Sequence, residues 1–413
     1  MSTTRAHDRA APLRLLLVSS TRSNLTGADR DWISLANALV PEAVEIVWVG
    51  SEGCQDALRN ELHPGITLVV LNPGIPWFTY MVLQNARQQR STWLWIKILL
   101  DHARRLVGPF IALERALKGS RPDIVVTNTV TVTLGALYAA VHARPHFWFV
   151  KDYLDTSLKA PRALARWIER FSTTVVVPSH AVARTFEKRV AVVRDGSDVS
   201  GIRSSAASGP TRERLLVGLG LPPQRPVVAQ VGGLVWWKGQ HVTVAALGQL
   251  AGEPDRVAFS MLFLGRGAGN PYQRELERQL EDSVPDWRGW VRFVEFASDD
   301  FSYLAAADVV VHPSVLPDPF PNAVREAMIL GKPVIASREG GIPEMIDDGR
   351  NGILVTPGDA VELGRAVLDL LRSPSRRELM GRNAREHALS HFDIRARKWQ
   401  FLELFRAAAP RTS

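Results

Sequence analysis

Short apolar runs, each followed by a longer stretch of helical spacing, recur through the first half of the chain at Leu13–Val18, Val44–Val49, Ile66–Leu71, Asp123–Thr127, Phe147–Val150 and Thr174–Val177. That alternation predicts a parallel sheet covered on both faces, because parallel strands need crossover helices. A second series begins after Arg203–Pro210, a Ser/Gly/Pro-containing stretch that reads as a linker: Val227–Val231, Ala258–Leu264, Val291–Val294, Val309–His312, Val334–Ala336 and Ile353–Val355. The pattern restarts, so two doubly wound α/β domains are expected. Ligands of such folds sit beyond the carboxyl ends of the strands, and with two domains the expected site is the cleft between them.

A length of 413 residues allows two or three domains with their own cores, and 46% hydrophobic with 22% charged residues is ordinary globular composition. One cysteine, Cys54, excludes an intrachain disulfide and a Cys-based metal cluster, and fits a reducing, cytoplasmic compartment. The polar N-terminus lacks the apolar core of a secretory signal, and no window reaches the roughly 18 apolar residues of a membrane span. A soluble or peripheral protein is therefore expected. The net charge of +8 is uneven: residues 1–200 hold 24 Lys and Arg against 17 Asp and Glu. Most of that excess lies in 76–121, where Trp77, Phe78, Tyr80, Trp93 and Trp95 interleave with eight basic residues, among them Arg87, Arg90, Lys97, Arg104 and Arg105, and only two acidic ones. Such a segment either engages an anionic membrane surface or buries its aromatics and leaves the charges on a solvated helix face.

Three constellations follow strands of the second series. Val227–Val231 runs into Gly232-Gly233-Leu-Val-Trp-Trp-Lys238-Gly239 and a helical stretch, an arrangement that lets backbone N–H groups and a lysine meet a phosphate, or else a tight turn with a solvated lysine. Val309–His312 leads to Asp318 and, past Pro321, to Asn322 as a candidate N-cap with Glu326 in the following turns. Two carboxylates near exposed N–H groups suit a vicinal diol, while the plainer reading has Glu326 complementing the helix dipole and Asp318 shaping a turn. The third, Gly340-Gly341-Ile-Pro343-Glu344, reads as a loop aimed at a helix N-terminus, a second anion cradle, or as a plain turn. The ten histidines are scattered; His142 and His146 read as structural and His312 as lining a strand end.

Taken in order, these motifs resemble glycosyltransferase family 4, retaining enzymes of the two-domain GT-B fold. Gly232…Lys238-Gly239, Asp318…Glu326 and Gly340–Glu344 match its Gly-Arg-Leu…Lys-Gly, Glu-x7-Glu and Gly-Gly-x-Pro-Glu motifs. Weaker echoes are Gly265-Arg266-Gly267, Arg194–Asp198, and Thr26–Arg30. The resemblance implies two Rossmann-like domains facing an interdomain cleft: a leader at 1–12, an acceptor domain at 13–203, a linker at 204–223, a nucleotide-sugar domain at 224–390, and a C-terminal helix at 391–413 that could cross back to the first domain.

It further implies that Lys238 pairs with the diphosphate of a UDP- or GDP-type donor and that Glu326 binds the ribose diol. Asp318, with backbone N–H groups at Phe320, Asn322 and Ala323, then addresses the transferred sugar, and Gly27 leaves room on the acceptor side. No metal, cofactor or nucleic acid is expected. The family's arginine is Gly233 here, leaving Arg266 to meet diphosphate charge; its first glutamate is Asp318; and where a histidine often ends a first-domain strand, Lys151 and Asp152 stand.

The implied reaction is retaining transfer of a sugar to a glycan or glycolipid acceptor, in cell-surface polysaccharide biosynthesis at the cytoplasmic membrane face. A soluble natural-product acceptor, a sugar-nucleotide epimerase of the same architecture, and a degenerate binding scaffold are the competing readings.

Overall fold

The computed structural model describes residues 12–19, 25, 27–72, 74–76, 92–155, 159–188, 190–251, 257–267, 269–295 and 300–410, without the side chains of 92–96, 98, 99, 159 and 160. Most of the leader expected at 1–12, together with Thr26, Trp77, Phe78, Tyr80, Arg87 and Arg90, lies outside the described residues, as do the side chains of Trp93 and Trp95. Two compact units emerge. Unit 1 comprises 1–177, 183–193 and 398–413, and unit 2 comprises 178–182 and 194–397.

Unit 1 contains a seven-stranded sheet of β1 (Leu13–Val18), β2 (Val44–Ser51), β3 (Thr67–Leu71), β4 (Ile124–Asn128), β5 (His146–Phe149), β6 (Thr174–Val177) and β7 (Ala191–Val192), in the order β3-β2-β1-β4-β5-β6-β7. Every pairing is parallel. The central strand β4 is buried along its whole length, as a strand covered on both faces must be. Helix Ile394–Ala408 begins in unit 2 and continues into unit 1, where Phe401 and Phe405, both at most 2% exposed, meet Phe149 and Phe147.

Unit 2 holds β8 (Val227–Val231), β9 (Ser260–Gly265), β10 (Val291–Glu295), β11 (Val309–His312), β12 (Val334–Ser337) and β13 (Gly352–Val355), again all parallel, in the order β10-β9-β8-β11-β12-β13. Apolar clusters fill both faces of this sheet. Its strand order reverses between β8 and β11, so the crevice beyond their carboxyl ends is where such a sheet receives a ligand.

One expectation needs correction. The stretch read as a linker is helical: Val199–Ser208 and Arg212–Gly218 are helices of unit 2, with Val199, Ile202, Leu215 and Leu216 buried. Serine and alanine are tolerated in a helix once spaced apolar residues reach a core, and Thr211 caps the second helix by accepting from the Arg214 N–H at 3.3 Å. The Arg194–Asp198 motif also has a packing role. Ser197 donates its N–H to Phe392 and accepts from Ile394, and a Cβ on Gly196 would lie 2.8 Å from the Ile394 Cα.

One histidine of unit 1 is strongly shifted by burial. His146 is 2% exposed; its Nδ1 donates to the Phe171 carbonyl at 2.7 Å, and Nε2 faces the Thr127 hydroxyl at 2.8 Å. Burial pushes its pKa down to about 4, against the opposing effect of the Phe171 bond. Because the unfolded chain takes up this proton near pH 6.5, stability rises with pH between about 4 and 6.5. Between pH 7 and pH 4 the wild type should therefore lose about 3 kcal/mol more than His146→Gln. Urea unfolding at stepped pH reads the difference, and parallel pH profiles would contradict it.

Candidate donor site

The loop after β8 is fixed by its own side chains. Buried Gln230 on β8 donates to the Lys238 carbonyl at 2.8 Å and accepts from the Thr243 hydroxyl at 2.7 Å, and Gln240 donates to the Gly233 carbonyl at 2.9 Å. Gly239 has φ +74°, and a Cβ there would fall 1.9 Å from the Pro313 carbonyl oxygen. Glycine is therefore required where the loop presses on the segment following β11. Helix Gln240–Ala251 starts immediately afterwards, directing its first N–H groups toward the same loop.

The loop after β11 supplies the counter-charge. Lys238 Nζ donates to Asp318 Oδ2, with side chains 26% and 11% exposed. His312, the last residue of β11 and 2% exposed, places Nε2 3.3 Å from the same carboxylate oxygen and 3.1 Å from Ser314 Oγ. Burial alone would raise the Asp318 pKa, but the Lys238 charge and the His312 hydrogen bond hold it well below the usual carboxylate range. Burial and the Lys238 charge push the His312 pKa down, against the pull of Asp318. The site thus holds a cation, a carboxylate and an imidazole within hydrogen-bonding reach. Sequence reasoning left His312 at a strand end; the signal was its position six residues before Asp318, on the strand that introduces the loop.

Pro321 occupies the N-cap position, so helix Asn322–Ile329 begins one residue earlier than an Asn322 cap would place it. Asn322 instead accepts from Arg325 Nη2 at 2.9 Å, and fully buried Arg325 also donates to Ser197 Oγ at 3.0 Å. The Phe320 ring is 5% exposed and packs edge-on against Phe392, so its side chain belongs to the core and only its backbone can serve a ligand. Ala323 and Glu326 are half-buried in the first two turns.

Of the two readings of the Gly340-Gly341 loop, the geometry favours the turn. Only a three-residue 3₁₀ turn, Ile342–Glu344, follows it. Cβ atoms at the two glycines would lie 2.3 Å from the Asp318 carbonyl oxygen and 1.9 Å from that of Pro319, while Gly341 donates its N–H to Asp318 at 2.8 Å. These glycines let backbone pack on backbone and hold the Asp318 loop in place. Glu344 accepts from the Ala181 N–H at 3.0 Å.

Arg266 follows β9 and is exposed; its carbonyl accepts from the Leu234 N–H at 3.1 Å, which sets it beside Gly232 and Gly233. A Cβ on Gly265 would meet the Gly232 carbonyl oxygen at 2.0 Å, whereas one on Gly233 would have open space. In unit 1, Gly27 opens helix Gly27–Leu39 and is exposed. Lys151 pairs with Asp31 of that helix at 3.0 Å, both side chains less than 10% exposed. Asp152 accepts from the Val130 N–H at 3.2 Å, and burial raises its pKa. Among the described residues, no group of three or more His, Cys, Asp or Glu side chains could hold a metal ion.

Residues 225–373 match the family described as Glycosyl transferases group 1. The chain is 34% identical over 206 residues to a D-inositol 3-phosphate glycosyltransferase of Corynebacterium kroppenstedtii, covering 49% of this chain and 44% of that one. It is 33% identical over 265 residues to an alpha-maltose-1-phosphate synthase of Mycolicibacterium smegmatis, covering 59% and 66% respectively. The matched stretches thus span about half to two thirds of these relatives. Among solved structures, HepE of Anabaena, determined with UDP-glucose, superposes with a TM-score of 0.73 at 22% identity, over 95% of this chain and 99% of that one. Sucrose-phosphate synthase of Thermosynechococcus elongatus gives a TM-score of 0.73 at 19% identity, over 96% and 98%. With the two parallel sheets described above, the solved structures show the α/β GT-B fold, and the family match over 225–373 with the two relatives supports a glycosyltransferase assignment of the family 4 type.

Proposed function

We propose that the protein is a retaining, metal-independent glycosyltransferase that moves a sugar from a nucleotide diphosphate sugar to a hydroxyl of a glycan or lipid-linked saccharide. The cytoplasmic membrane face is the proposed place of action, in cell-surface polysaccharide biosynthesis. The observation that carries the donor assignment is the Lys238–Asp318–His312 group at the carboxyl ends of β8 and β11, beside a glycine loop and a helix N-terminus. HepE was solved with UDP and with UDP-glucose, which favours a UDP donor over GDP here.

In this reading Lys238 exchanges part of its contact with Asp318 for the donor diphosphate, aided by Arg266 and the first N–H groups of helix Gln240–Ala251. Glu326 holds the ribose diol. Asp318, with backbone N–H groups of Phe320, Asn322 and Ala323, orients the sugar. As the bond from the anomeric carbon to the diphosphate oxygen breaks, the departing charge falls to Lys238 and the helix terminus. The acceptor oxygen then bonds to the same face of that carbon, and its proton passes to a donor phosphate oxygen. Gly27, Lys151 and Asp152 form the acceptor side. Lys151 is already paired with Asp31, which suits it to positioning more than to proton transfer.

Lys238→Ala should lower UDP affinity about 10- to 150-fold in calorimetry, the worth of one charge-assisted hydrogen bond. Unchanged affinity would remove the donor-site assignment. Gly233→Arg adds a side chain into open space and restores a second cation at the loop, so UDP binding should tighten about tenfold. Weaker binding with an intact fold would contradict the placement of the diphosphate at this loop. Hydrolysis of a UDP-sugar without acceptor separates an active donor site from a binding scaffold.

A further inference from the structure

We propose that one face of helix Thr92–Ala116 in unit 1 is a docking surface for an anionic lipid bilayer. The inference rests on the membrane-surface part of the function proposed above and gives it a location.

At 100° per residue, Lys97, Leu100, Arg104, Val107, Ile111 and Arg115 fall on one narrow stripe of this helix. Leu100 and Val107 are each 56% exposed and Ile111 is 43% exposed, while Lys97, Arg104 and Arg115 are exposed between and beside them. The opposite side carries Leu106 and Leu113, which are buried in the core of unit 1. The helix is therefore anchored by one face and presents a second, mixed apolar and basic, to its surroundings.

Its two acidic residues are already engaged. Asp101 pairs with Arg105 at 2.7 Å, and Glu114 lies 2.5 Å from His142 Nε2. The stripe itself carries Lys97, Arg104 and Arg115 and no acidic residue, within a segment holding eight basic and two acidic residues over 76–121. From Lys97 to Arg115 it extends about 27 Å, long enough to lie along an interface. No helix among the described residues is long and apolar enough to cross a membrane.

The alternation identifies the occupant. A soluble anion would need only the cations and would leave Leu100, Val107 and Ile111 in water. A bilayer with anionic headgroups takes the cations at phosphate level and the apolar side chains just beneath, the long basic side chains reaching back to the surface.

The test is co-sedimentation of the full chain with phosphatidylcholine vesicles made with and without phosphatidylglycerol, at low salt. The wild type should sediment with the phosphatidylglycerol vesicles only. Arg104→Gln with Arg115→Gln should weaken partitioning about 25-fold, roughly fivefold per cation. Leu100→Gln with Val107→Gln should weaken it about tenfold or more. Equal recovery on both vesicle types, no recovery on either, or no loss in the variants would overturn the proposal. Binding that the apolar pair leaves unaltered and that free glycerol phosphate displaces would overturn it in favour of a simple anion site. UDP calorimetry on the same proteins keeps the two readings apart: vesicle binding lost with UDP binding kept removes only the target of these substitutions, and absent UDP binding fails the donor-site reading alone.

Discussion

The proposed donor site depends on one ion pair. Lys238 and Asp318, 80 residues apart, join the loop that leaves β8 to the loop that leaves β11, at the point where the strand order of unit 2 reverses. Burial alone would raise the pKa of a carboxylate so placed; the lysine and the His312 ring outweigh it and favour the charged form. Removing one partner from a pair this enclosed leaves a charge poorly solvated and unmatched, which typically costs several kcal/mol. The surrounding glycines serve the same contact. Gly239 against Pro313 and Gly341 against Pro319 are backbone approaches that no side chain permits.

The strands were the most legible part of the fold. Runs such as Val227–Val231 and Val309–His312 read as strands because both faces of a parallel sheet are buried, so valine and isoleucine need not alternate with polar residues. β7, two residues long, has no run to read. The supposed linker was misjudged because its serines and glycine drew more weight than the apolar spacing of Val199, Ile202, Leu215 and Leu216, whose partners lie far away in the sequence.

Part of the geometry of the candidate site was legible in the sequence. The glycines and lysine after β8 and the carboxylate after β11 could be placed beyond strand ends, and the expectation of a phosphate-and-diol pocket rested on the chemistry of those residue types. Gly340 and Gly341 were open to two readings because glycine serves a bound anion and a close backbone approach equally well. Only the position of Asp318 and Pro319 distinguishes them. His312 was read only as lining a strand end and Asp31 was not singled out, for a related reason: each acts through a partner, and neither partner is adjacent in sequence.

In the proposed donor site Asp318 holds Lys238 in place yet yields it to a diphosphate. Calorimetric titration of UDP into Asp318→Asn tests that exchange. The substitution keeps the side-chain volume and removes the charge that competes for the lysine. UDP affinity equal to or greater than that of the wild type, together with loss of UDP-sugar hydrolysis, is the predicted result. A fall in UDP affinity as large as that of Lys238→Ala, in a variant that remains folded, would mean that the pair is architecture and that the diphosphate binds elsewhere.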